Sequence, residues 1–73
     1  MKTITPSQEE IIKTLMDTGH IIDSYEIRDK DLYIWYIHSR NKTKQLRVVG
    51  SHGAIKGGAK FNKAWKLISS WRR

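Results

Sequence analysis

Histidines 20, 38 and 52 are the only side chains here whose unperturbed charge changes near neutral pH. Two imidazoles held together could relay protons and cleave RNA. His38 closes an apolar segment and His52 follows the next one, so these two form the candidate pair. No carboxylate lies beyond Asp31 to orient either ring. Ribonuclease activity is therefore only a third reading, and the chain is expected not to be an enzyme. The histidines are scattered without ligand spacing and there is no cysteine, which argues against a zinc site and excludes disulfides. No cofactor is expected.

A second constellation is glycine-rich. Four of the five glycines fall within residues 50–58, GSHGAIKGG. No Gly-Lys-Ser/Thr closes the stretch, so it is not a Walker A loop, and no strand–helix–strand unit makes it a dinucleotide fingerprint. Read as a strand-to-helix junction, it offers unpaired helix N–H groups to an anion. Gly57 and Gly58 would let backbone and phosphate approach, with Lys56, Lys60 and Lys63 alongside. Read otherwise, it is only a hinge.

Charge supports a polyanionic partner. The chain has 73 residues and net charge +7. All seven acids lie in residues 1–31, where four bases leave a net −3, whereas residues 32–73 hold ten bases and no acid. Such a field attracts nucleic acid first and an acidic protein surface second. Arg40, Lys42, Lys44 and Arg47 are candidate phosphate contacts, and Tyr33, Trp35 or Tyr36 could stack on bases from an open sheet face.

The elements that must position these residues follow from periodicity. Thr5-Pro6-Ser7-Gln8 is a helix start: Thr5 as N-cap, Pro6 at N1, and Gln8 at N3 closing a capping box. Ile11, Ile12, Leu15 and Met16 share one face, and Gly19 is the stop, giving a helix near 6–18. Strands are expected at 21–28, 32–39 and 44–49, with Leu46 and Val48 inward and Gln45 and Arg47 outward. Phe61, Ala64, Trp65 and Ile68 recur at helical spacing, which predicts a second helix near 59–71. The expected fold is α+β: an α-β-β-β-α order in one domain, with a three-stranded antiparallel sheet and two helices packed on one face. Neither a secretory leader nor a run of ~20 apolar residues is present, so a soluble, cytoplasmic protein is expected, away from membranes.

That order, with Lys56, Lys60 and Lys63 at the second helix start, resembles the double-stranded RNA-binding domain. EEIIKTLMDTGHII and RVVGSHGAIKGGAKFNKAWKLI are similar to the first helix and to the third strand, Ile-Lys-x-Gly stretch and last helix of HicA mRNA-interferase toxins. The resemblance implies RNA binding through the second-helix lysines. It does not imply nuclease activity, because Arg28-Asp29-Lys30-Asp31-Leu32 stands where the toxins carry their catalytic histidine. The leading expectation is a small non-catalytic RNA- or DNA-binding protein. The alternative is a regulatory module or inhibitor that docks on an acidic partner such as a nucleic-acid enzyme. An open edge strand would also allow a homodimer.

Overall fold

A computed structural model describes residues 3–72. Helix α1 (Pro6–Asp17) is followed by five strands: β1 (Ile21–Arg28), β2 (Asp31–Ile37), β3 (Lys44–Val49), β4 (Ile55–Phe61) and β5 (Leu67–Arg72). They form one antiparallel sheet in which chain order is spatial order, β1-β2-β3-β4-β5. The α+β class holds. The expected three strands and two helices do not: the sheet has five strands and α1 is the only helix among the described residues.

The segment expected as a second helix is the hairpin of β4 and β5. Residues 55–61 alternate, with Ile55, Gly57, Ala59 and Phe61 at odd positions, and that period suits a strand. Asn62 then stops β4. Its side-chain oxygen accepts from the backbone N–H of Ala64 (2.9 Å) and Lys66 (3.0 Å), and its own N–H donates to the Lys66 carbonyl (2.9 Å). Trp65 takes a left-handed backbone conformation, φ 60°. An asparagine that bonds its own chain two and four residues on competes with a helix. Ser69 and Ser70 disfavour one as well.

Gly57 and Gly58 consequently sit inside a strand rather than at a helix start. A Cβ on Gly57 would lie 2.9 Å from the Trp71 carbonyl oxygen, and one on Gly58 2.9 Å from both the Trp71 indole nitrogen and the Leu46 carbonyl oxygen. Their bareness lets β5 and its indole close on β4.

The helix matches its sequence signals. Thr5 caps it, the Thr5–Gln8 capping box is complete, and the chain leaves through Thr18 and Gly19 (φ 86°). Leu15 packs on Leu32, Ile34 and Tyr36 of β2 and Val49 of β3, with Ile4, Ile11, Ile12, Ile22, Ile27 and Ile55 around them. A bulge between Ile22 and Ser24 shifts the parity of β1, so Ile22 enters the core and Ile21 stays exposed. Strand β2 buries alternate residues, with Tyr33, Trp35 and Ile37 on the face away from the helix. Register puts Leu46 and Val48 on that far face as well, opposite Trp35 and Tyr33. Gln45 and Arg47, expected outward, share the helix side with Tyr36 and Ile34.

Gln8 joins helix to sheet. It is fully buried, and its amide nitrogen donates to the Lys30 carbonyl (3.0 Å) and the Val49 carbonyl (3.2 Å) while its oxygen accepts from the Thr5 N–H (3.1 Å). Thr5 also donates its hydroxyl to the Ser51 carbonyl (2.7 Å). Replacing Gln8 by Met keeps the volume and strands two carbonyls and one N–H. The expected loss is about 3 kcal/mol, or more than roughly 10 °C in Tm for a domain of this size. Urea denaturation of Gln8→Met against the parent protein measures it.

Candidate nucleic-acid interface

Antiparallel order sends the β2–β3 and β4–β5 turns to the same end of the sheet. Alternate hairpins of a meander are two strand spacings apart, about 10 Å. The first tip carries Arg40 and Lys42, and Lys44 begins β3 beside it; Lys60 lies near the end of β4, and the second tip carries Lys63 and Lys66. In the first tip Lys42 adopts φ 59° and its ammonium donates to the Ser39 carbonyl at 3.3 Å, while Asn41 accepts from the Thr43 N–H at 3.0 Å. Among the described residues the ion pairs are Arg28–Glu26 and Lys56–Asp31 (3.0 Å). The bases of the two tips therefore have no carboxylate partner.

The acids lie on other elements, although Asp17 and Asp23 stand at the same end of the molecule as the tips. Glu9, Glu10 and Asp17 are on α1, Asp23 and Glu26 on β1, and Asp29 and Asp31 at the β1–β2 turn. A meander converts a charge gradient along the chain into a gradient across the sheet, with the helix and β1 acidic and β3 to β5 basic.

Among the described residues no element covers the face away from the helix. Tyr33 and Trp35 stack there, centroids 6.2 Å apart and 29° between planes. The Arg28 guanidinium lies 4.9 Å from the Tyr33 ring and 5.6 Å from the Trp35 ring. Phe61 and Trp65 make a second aromatic pair at 5.4 Å, with the Lys44 ammonium 4.8 Å from the Trp65 ring. A hollow of about 540 Å³ lies between Trp35, Phe61, Trp65 and β1. A second, of about 370 Å³, has Tyr33, Leu46, Val48, Gly57, Ala59, Trp71 and Arg72 in its lining, together with Lys56 and Asp31.

The residues singled out from the sequence are thus distributed over three surfaces and the core. Tyr33, Trp35, Lys44, Lys56 and the Gly57 backbone belong to the open face, and Arg40, Lys42 and Lys63 to the tips. Arg47, Gly58 and Lys60 point to the helix side, beyond the strands that α1 covers. Tyr36 is 2% exposed and donates its hydroxyl to Gln45 (2.8 Å), so it fills the core and is closed to a ligand. Burial raises its pKa, against the opposing pull of the Arg47 guanidinium 5.6 Å from its ring. Phe61 and Trp65 were missed as surface aromatics because they were read on a helix. The alternation of 55–61 was the signal that could have found them.

The histidines pair differently from the sequence expectation. His52 follows β3 at the end opposite the tips, far from His38. His20 packs against His38 instead, ring centroids 4.7 Å apart and nearly edge-on. His38 accepts the Arg40 N–H at its Nδ1 (3.2 Å), and His20 Nδ1 is 3.0 Å from the Thr18 hydroxyl. No group of three or more metal-ligating side chains occurs among the described residues. No helix described is long and apolar enough to cross a membrane. No family model, curated protein or solved structure matches the chain.

Desolvation, then the charges of His38 and Arg47, lowers the pKa of His20 below the ordinary 6.5. The unfolded chain therefore takes up this proton at a higher pH than the folded one. Stability is expected to be full above pH 6.5 and to fall as pH drops through 6.5 toward the lowered value, below which the His20 share is constant. Replacing His20 by Asn should flatten stability against pH between about 7 and 5. Chemical denaturation across that range, for both proteins, checks the sign.

Proposed function

We propose that this protein binds nucleic acid, RNA or DNA, without acting on it chemically. The observation that carries the reading is the pair of adjacent hairpin tips. Arg40, Lys42, Lys44, Lys60, Lys63 and Lys66 gather at one end of the sheet with no carboxylate among them, and the acids lie on the helix, β1 and the first turn. Unpaired cations about 10 Å apart on rigid turns suit the repeated charge of a phosphate backbone. Arg47, on the helix side of β3, extends the same field. An acidic protein surface is the competing partner. It is favoured by β5, an edge strand with Leu67, Ile68 and Trp71 more than half exposed, to which a partner strand could add.

Six phosphate contacts predict a log–log salt slope near −5 on duplex DNA and near −4 on single strands. Lys42→Gln and Lys63→Gln should each flatten the slope by about 1 and weaken binding alike on every sequence. Fluorescence anisotropy with labelled oligonucleotides between 50 and 200 mM salt, a range of about the kind that separates ionic from other contacts, reads both. Absence of binding at the lowest salt, together with capture of an acidic protein that survives Lys42→Gln, would overturn the nucleic-acid reading.

A further inference from the structure

The hairpin tips account for phosphate, yet they leave the aromatic face of the sheet without a task. We infer that this helix-free face is a seat for unpaired bases, so that the preferred ligand is single-stranded nucleic acid. The inference rests on the reading of the tips as phosphate contacts and adds the part of the ligand they do not touch.

Three features of the face carry it. First, its rings come in two pairs, Tyr33 with Trp35 and Phe61 with Trp65, on either side of the sheet's middle. Between the β2 rings and β4 lie Leu46 and Val48 of β3, and β4 adds Gly57 and Ala59, so the floor is aliphatic and drops toward β4. A planar base can lie in such a trough against the neighbouring ring, and every base has a face that stacks. Second, each aromatic pair already has a cation beside it: Arg28 over Tyr33 and Trp35, Lys44 over Trp65. Arg72 lines the second hollow. A strand crossing the trough would meet a base platform with Lys44, which has no carboxylate partner, as its phosphate contact, while Arg28 is already held by Glu26. Third, the acids on this face are mostly neutralised. Glu26 is tied to Arg28 and Asp31 to Lys56, which leaves Asp23, in the lining of the first hollow, as its unpaired carboxylate among the described residues.

A duplex cannot stack on these rings, because its base faces are already stacked on one another and only phosphates, sugars and base edges are presented. The same surface against a protein would leave Lys44 and Arg72 to desolvate around an apolar anchor. Charge complementarity favours the polyanion with exposed π-faces.

The tryptophans supply an internal control. Trp35 and Trp65 border the open face, whereas the indole of Trp71, a residue that also lines the second hollow, lies against Gly58 on the helix side. The test is NMR titration of the indole N–H signals with 12-nucleotide oligo-dT and oligo-U, and separately with a blunt duplex, beside anisotropy on the same probes. The expected result is tighter binding to single strands by about tenfold or more, with shifts at Trp35 and Trp65 larger than at Trp71. Trp35→Ile, which keeps a strand-forming side chain, should weaken single-strand binding by about tenfold and leave duplex binding and its salt slope unchanged. Should that variant not fold, Tyr33→Thr carries the same expectation, and the titration of the unmutated protein needs no variant. Equal binding of single strands and duplex, with Trp35 and Trp65 unmoved, would overturn the inference and leave the tips as phosphate contacts. Binding of neither acid at low salt would overturn both. Oligo-dT against oligo-U then decides between DNA and RNA.

Discussion

The sheet and the helix meet through one buried amide. Gln8 uses its oxygen inside the helix cap and both its N–H groups on the sheet, at the end of the β1–β2 turn and the end of β3. A polar side chain with no exposure is tolerated because all three contacts are made. Their directions also fix the helix axially and rotationally, which apolar contacts among isoleucines do loosely. Everything on the far face depends on this, since the helix side of β2 must be filled by Leu32, Ile34 and Tyr36 for Tyr33 and Trp35 to be turned outward.

One short helix cannot cover five strands. Twelve residues make about 18 Å of helix some 10 Å across, and five strands span about 19 Å between the outer two. The helix lies over β1, β2 and the inner edge of β3, as its apolar partners show. The remainder of the helix side, with Arg47, Lys60 and Trp71, is uncovered, as is the whole opposite face. The chain fills this excess surface with small residues, with aromatics held in pairs and with long cations laid over rings, so that large apolar groups are half-covered by their neighbours.

The first half of the chain was legible because local chemistry and tertiary demand agree there. The Thr5–Gln8 capping box, the Gly19 stop, and β1 and β3 to their end residues follow from side-chain type. The last third was misread because two periods coexist in it. Phe61, Ala64, Trp65 and Ile68 fit a helical stripe, while Ile55, Gly57, Ala59 and Phe61 fit a strand. The contest is decided by Asn62, whose side chain captures two backbone N–H groups and turns the chain. The inversion of β3 had another cause. Alternation gives two faces but not which of them meets the helix, and Leu46 and Val48 serve a second, uncovered apolar face. Of the candidate residues, the basic ones were visible as composition; their convergence on one end came only with the meander that folds two hairpins side by side.

The meander has a kinetic consequence as well. With strand order equal to chain order, the molecule is an electric dipole lying in the plane of its own sheet, negative at the helix and β1 and positive toward β5. In the field of a polyanion such a body experiences a torque before it makes any contact, over roughly a Debye length of 8–10 Å. Encounters would begin with the basic β4–β5 edge leading and the acidic helix trailing, so fewer collisions are spent on the wrong side. Added salt would then slow capture by loosening alignment in addition to weakening attraction.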